Sequence, residues 1–355
     1  MFWYLLLAIF PIVLMPVINT FYKSTIYEND KAKRMYLFWC GVAIFLMIGL
    51  RHNTVGSADS YNYYSNWAYL STLSFDDMLI YVPGHEMESG YLYTVWALSQ
   101  LFTNPQFLFI FTGAFFALSV CMYVYKNSNE PAISIVMFIC LGLYTFMAQG
   151  LRQAIAMAIC LFAFEYCKKR KPIQFLLLIY VATCFHTSAI AYIPIYLLSY
   201  VKLNTLSYIG TAGLGVLLLV FSDTLINLAN QWYGSEYYQT VDSGGFVAVA
   251  IYVITIVLAL IFQKNYSDKK HYDLLFLVTF YGATFYSMRY IGGLIAGRVS
   301  WYYMFGQLIL LPNVVSSMEK RTKEVVSISV LILAVLLFAY RLHDSNLIPF
   351  KFFWQ

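Results

Sequence analysis

Charge is scarce in this chain. Only 11% of its 355 residues are Asp, Glu, Lys or Arg, too few to cover the surface of a water-soluble domain of that length. The six cysteines, Cys40, Cys121, Cys140, Cys160, Cys167 and Cys184, form no CxxC and nearly all fall inside apolar runs, so they read as small buried hydrophobes. HExxH is absent, and Asp76 and Asp77 are adjacent rather than arranged as DxD, so no metal and no cofactor is expected. There is no internal repeat, no low-complexity tail and no separate soluble domain, and no nucleic-acid partner is expected. Met1–Tyr22 lacks a basic start and a small-residue cleavage site; it is expected to be retained as a span.

Hydrophobic residues make up 61% of the chain, and the mean hydropathy is +0.67. Apolar runs recur at 2–22, 36–50, 106–125, 131–147, 152–167, 172–185, 187–200, 205–221, 245–263, 273–290, 298–316 and 325–341. The pattern predicts an all-α polytopic membrane protein with about 12 transmembrane helices, one integral membrane domain over 1–355. Several runs fall short of the ~20 residues of a straight span, as broken helices lining a cavity would. Aromatics are abundant, 32 Tyr and 29 Phe, and suit the membrane–water interface or a sugar-binding cleft.

Lysines set the orientation. The basic loops Lys23–Arg34, Lys168–Lys171, Lys264–Lys270 and Lys320–Lys323 are expected inside, which leaves both termini outside. Glu88–Phe102 ("ESGYLYTVWALSQLF") is then an interfacial or re-entrant helix on the outer face. Two large outer loops, 51–106 and 222–244, are rich in Tyr, Asp and Asn and carry short helices.

The arginines do not follow the lysines. Arg51, Arg152, Arg289, Arg298 and Arg341 all fall on the outer side, at or near span ends. A guanidinium costs roughly 2.5–3.5 kcal/mol near the membrane core, so it faces a cavity or a partner. It matches phosphate bidentately and stays charged. Each alone also fits snorkelling to headgroups; Arg51, Arg152, Arg289 and Arg298 together suggest an anion clamp. In "GLRQAIAMAIC" (150–160), Arg152 and Gln153 open a helix whose N–H groups also favour an anion. Gly150, Ala154 and Ala158 make a small-residue stripe for close helix packing. Asp59, Glu88 and His186 are the candidate general bases, Asp59 first because Tyr61, Tyr63 and Tyr64 surround it in sequence. Tyr63, Tyr302 and Tyr303 are candidate substrate contacts. The C-terminal "LIPFKFFWQ" (347–355) reads as an interfacial anchor.

In order along the chain, "GLRHNTVGSADSYNYY", "ESGY", "GLRQAIAMAI" ahead of a basic loop, "CFHTSAI", "GRVSWYY" and a terminal "IPF" resemble the EpsG-like branch of the Wzy polysaccharide polymerases. The family's opening pattern R…GTD…Y appears here as Arg51, Gly56 and "SAD" ending in Asp59, one residue longer. The resemblance implies a GT-C-like glycosyltransferase of the bacterial cytoplasmic membrane, active on the outer leaflet. Such enzymes move a growing glycan from undecaprenyl diphosphate onto a new lipid-linked repeat unit. The implied partners are undecaprenyl diphosphate-linked oligosaccharides and membrane lipids, with a chain-length regulator and a flippase as candidate protein partners. Two alternatives stay open: an O-antigen ligase-type transferase, and, in a different class, a flippase or transporter of lipid-linked oligosaccharides.

Overall fold

A computed structural model describes residues 1–56, 59–233, 245–292, 294–343, 345 and 347–355. Of Asp59, Tyr61, residues 229, 230, 232 and 233, and residues 291, 292 and 294, only the backbone is described. The described residues are helical throughout, with no strand beyond one isolated bridge. In chain order the helices are α1 (Phe2–Tyr22), α2 (Asp30–Gly49), α3 (Asp59–Leu70), α4 (Phe75–Tyr81), α5 (Ser89–Leu101), α6 (Gln106–Asn127), α7 (Pro131–Cys140), α8 (Leu143–Gln149) and α9 (Leu151–Lys168). There follow α10 (Pro172–Thr183), α11 (Ile193–Leu198), α12 (Thr205–Val220), α13 (Ser222–Tyr233), α14 (Phe246–Phe262), α15 (Lys269–Gly292), α16 (Leu294–Ser316) and α17 (Lys320–His343). A 3-10 stretch, Thr187–Tyr192, leads into α11.

Local chemistry sets the boundaries. The Asn29 side chain accepts from the Lys31 and Ala32 N–H groups at the start of α2, and Asn204 with Ser207 forms a capping box on α12; both satisfy donors that a helix start leaves open. Pro131 opens α7, where its missing N–H costs nothing. The α7–α8 break turns at Gly142, whose φ of 108° suits glycine, and bends the pair by 53°. Arg341 on α17 donates to the Leu141 carbonyl left open at that break.

Among the described residues, five helices, α1, α2, α6, the run Phe246–Asn265 and α17, are long and apolar enough to cross a membrane; counting each of the bent pairs α7–α8 and α12–α13 as one span brings the number to seven. Their outer faces stay greasy: on α17, Ile328, Leu333 and Leu336 are more than half exposed, as lipid-facing residues are. The chain is an all-α membrane protein. The segment 51–106 carries α3, α4 and α5. In the segment 222–244, α13 occupies 222–233 and the rest lies outside the described residues.

The chain divides into two compact units, each described by itself. The first comprises Met1–Ala163, Leu176–Ile190 and Glu324–Gln355. Here α2 crosses α6 at two glycines: a Cβ on Gly113 would lie 2.8 Å from the Gly49 nitrogen. The second comprises Phe164–Phe175 and Ala191–Lys323. Its α15 and α16 approach as closely, for a Cβ on Gly306 would meet Val278 Cγ1 at 2.7 Å. Such small-residue contacts let helices pack where no hydrophobic drive separates protein from lipid.

Candidate active site

Arg51 lies just past the end of α2 in the first unit, seated by three elements. Its backbone pairs antiparallel with Phe352: the His52 N–H donates to the Lys351 carbonyl (2.8 Å) and the Phe353 N–H to the Leu50 carbonyl (2.9 Å). Gln106, buried at the first residue of α6, donates through Nε2 to the carbonyls of Gly49 (2.6 Å) and Arg51 (3.1 Å). Its Oε1 accepts from the Tyr64 hydroxyl of α3 at 2.5 Å. One amide thus satisfies carbonyls that the end of α2 leaves open and ties α2, α3 and α6 together.

The Arg51 side chain is only 1% exposed. It lies over the Phe109 ring at 4.3 Å, a cation–π arrangement. Its Nη1 donates to the Val55 carbonyl and to Ser60 Oγ (3.0 Å). Its Nε and Nη2 meet no hydrogen-bond partner among the described residues. Burial pulls its pKa down to about 10, so the charge persists at neutral pH. A buried cation with open donors is costly unless an anion or water meets them. Asp59 opens α3; its side chain lies outside the described residues.

The second group is centred on Glu88, the residue just before α5. Its Oε2 accepts from Arg152 Nη1 at 2.6 Å. Its Oε1 accepts from the Thr187 N–H (3.1 Å) and Oγ1 (3.4 Å). Arg152 stands in the first turn of α9, with Gln153 buried beside it. His186, next to Thr187, is buried, and its Nδ1 takes the Ser188 N–H (3.2 Å) and faces Ser188 Oγ (2.7 Å). With Nδ1 accepting, the ring proton is assigned to Nε2. The Gly90 N–H donates to the Cys184 carbonyl at 2.8 Å, pinning the start of α5 to the corner that carries His186. Arg152, Glu88 and His186, spread over almost 100 residues, are therefore one cluster.

Tyr63 links the two groups. It is buried, its ring tilted on Tyr91 at 5.8 Å, and it lies near both Arg51 and Arg152.

The second unit holds the other sequence candidates. Arg289, in the last turn of α15, packs against α16: a Cβ on Gly297 would lie 3.2 Å from Arg289 Cδ. Arg298 follows Gly297, so both cations belong to one helix hairpin. Tyr302 and Tyr303 are fully buried in this unit. Tyr303 donates to the Ala191 carbonyl (2.9 Å) and packs on Phe285, and Tyr302 tilts against Tyr192.

Other sequence features are structural. Asp77 closes a capping box with Ser74 on α4, and those hydrogen bonds lower its pKa. The aromatic C-terminus is more than an interfacial anchor: Leu347 and Phe350 are buried, and its backbone forms one side of the Arg51 seat. Sequence reasoning passed over Thr187 and Gln106. Thr187 sits inside the "FHTS" run, and Gln106 is a polar residue at the head of an apolar span; both were visible signals.

No curated protein and no solved structure matches the chain. A family model, the EpsG family, matches residues 34–352. The match reaches from before Arg51 to its pairing partner Phe352 and takes in Glu88, Arg152, His186, Arg289 and Arg298. The chain belongs to the EpsG family.

Proposed function

We propose that the protein is a Wzy-type polysaccharide polymerase. It transfers a growing glycan from undecaprenyl diphosphate to a lipid-linked repeat unit at the outer face of the cytoplasmic membrane. Membership of the EpsG family supports a polysaccharide-polymerase function broadly. The observation that carries the finer reading is Arg51: a buried, charged guanidinium with two donors unmet among the described residues, beside a tyrosine that also neighbours Arg152. This is the chemistry a lipid-linked diphosphate requires, fixed positive charge and directed N–H groups away from bulk water.

In this reading Arg51 and Arg152 hold the donor diphosphate. They stabilise the negative charge that grows as the bond from the anomeric carbon to the diphosphate oxygen breaks. The acceptor hydroxyl forms the new glycosidic bond and gives up its proton to a base, Asp59 first, with His186 and Glu88 as alternatives. Glu88 is already committed on both oxygens, which suits a role in aiming Arg152. Arg289 and Arg298 are proposed as phosphate-binding cations of the second unit, and guanidinium charge is proposed to serve in place of a divalent metal. Gln153 and Tyr63 are proposed to contact substrate; Tyr302 and Tyr303 support the helix that carries Arg298.

The same reading counts twelve crossings in a GT-C-like arrangement, with 51–106 and 222–244 as its two outer segments. Helices α9, α15 and α16, of 18, 24 and 23 residues, have the length for it. A chain-length regulator and a flippase are the protein partners this role calls for.

Purified protein given only lipid-linked repeat units tests the proposal. A polymerase produces a ladder of chain lengths. No elongation from that single substrate, with transfer appearing only when a different acceptor is supplied, would point to a ligase.

A further inference from the structure

We propose that the groove between α2 and α6 is a binding site for one anionic phospholipid of the leaflet on the lysine-rich side. This stands apart from the transferase reading and does not depend on it.

The groove has a volume of about 680 Å³ and lies within the first unit, lined by Leu37, Gly41 and Phe45 of α2 and by Ala114, Leu118 and Met122 of α6. Its shape follows from residue size. At the outer end Gly49 and Gly113 bring the helix backbones together. Further along, Gly41, Ala114 and Ala117 leave a hollow, while Phe38 and Leu118, 60% and 56% exposed, stand up as its walls. From Arg34 to Phe45 a helix rises roughly 16 Å, close to one leaflet of a hydrocarbon core about 30 Å thick. One acyl chain running parallel to the helices fits that length.

The polar end favours an anion. Arg34 and Tyr125 close the groove there. Arg34 spends Nε on the Tyr125 hydroxyl (3.1 Å) and Nη2 on Asp30 (2.7 Å), and its Nη1 makes no hydrogen bond among the described residues. Its side chain is 68% exposed, at the level where a headgroup sits. Lys31 and Lys126 are exposed within a turn or so of it, and Lys33 reaches the Ser128 carbonyl. Asp30 and Glu28 are the exposed acids on the same stretch, so cations outnumber them. Juxtamembrane lysine and arginine attract anionic headgroups. The one-leaflet length of the groove suits an acyl chain, and the excess of cations at this end suits the headgroup of an anionic phospholipid.

The test uses the full-length protein in nanodiscs containing trace phosphatidylglycerol with a photoreactive diazirine in its acyl chain. Crosslinked peptides are mapped by mass spectrometry. Crosslinks should concentrate on 34–45 and 114–125, at least threefold above the exposed face of α17. Phosphatidylcholine carrying the same diazirine should lose that enrichment, as should phosphatidylglycerol with the exposed-residue variant Arg34→Gln. Crosslinks spread evenly over lipid-facing helices, equal labelling by the two headgroups, or displacement of phosphatidylglycerol by undecaprenyl phosphate would each overturn the proposal. Because the wild type carries the central measurement, a folding defect in the variant cannot mask the result.

Discussion

Arg152 and Glu88, 64 residues apart, close an ion pair at 2.6 Å whose other carboxylate oxygen is held by Thr187. One carboxylate thereby fixes the direction of a guanidinium at the head of α9 and ties it to the corner bearing His186. The side chains are 29% and 15% exposed, so the pair lies between the solvated and the buried extremes. Breaking it by Glu88→Ala is expected to cost about 1–3 kcal/mol, between those limits.

The double variant Glu88→Arg with Arg152→Glu separates stability from chemistry. Restoring the pair in reverse should return most of the lost melting temperature in detergent. Chain elongation should stay down by about 100-fold, the usual loss when a transition-state charge is removed, because the cation now sits just before α5 rather than on α9. If the swapped protein made normal ladders, Arg152 would be a structural residue only.

Arg51→Lys makes a pH-dependent prediction. Burial brings the arginine to about 10, leaving it charged at neutral pH. A lysine starts near 10.4, and the same burial lowers it, because the site disfavours the charged form of either cation. Between that lowered value and 10.4 the unfolded lysine binds more protons than the folded one, so stability rises with pH across the window. Activity should run the other way, falling as the ammonium deprotonates. Opposed trends in melting temperature and elongation rate between pH 7 and 9.5, absent from the wild type, are the expected signature.

Phe352 is where the C-terminus meets the Arg51 seat. Its ring packs on Trp3, Phe350 and Trp354 while its backbone bridges to Arg51. Phe352→Ala should destabilise the protein by about 1–3 kcal/mol, less than a fully buried Phe→Ala change. Removal of 347–355 should reduce elongation as far as Arg51→Ala does, though the deleted residues include none of the proposed phosphate ligands. Thermal unfolding and ladder assays on membranes with matched protein levels check both.

The helices were legible because apolar runs and caps are local signals; even α5 was visible in "ESGYLYTVWALSQLF". The arginines stood out because a guanidinium at a span end is expensive and its position needs a reason. What escaped was pairing at a distance. Nothing local in "IPFKFF" says that its backbone will meet residues 50–52, some 300 positions earlier. Glu88 and Arg152 were each conspicuous, yet their sequence context suggested a base and a clamp rather than one ion pair. Tyr302 and Tyr303 show a further limit: an aromatic that stacks on a sugar and one that packs inside a unit are the same letter in the sequence.

Three glycines rank by space rather than by sequence. A Cβ on Gly90 would stand 2.6 Å from the Cys184 carbonyl oxygen, and one on Gly113 2.8 Å from the Gly49 nitrogen; on Gly150 the nearest atom is Phe146 Cζ at 3.4 Å. The first two contacts are with backbone, which cannot swing aside as a side-chain tip can, so something must shift. Gly90→Ala should push the start of α5 off the His186 corner and carry Glu88 with it, lowering elongation while membrane insertion persists. Gly113→Ala should instead loosen the α2–α6 crossing and lower the melting temperature. Gly150→Ala meets ordinary van der Waals contact at a φ of −90° and should leave both nearly unchanged. An outcome in which Gly150→Ala is the most damaging of the three would mean that the small-residue stripe on α9, rather than the two backbone approaches, sets the packing around the site.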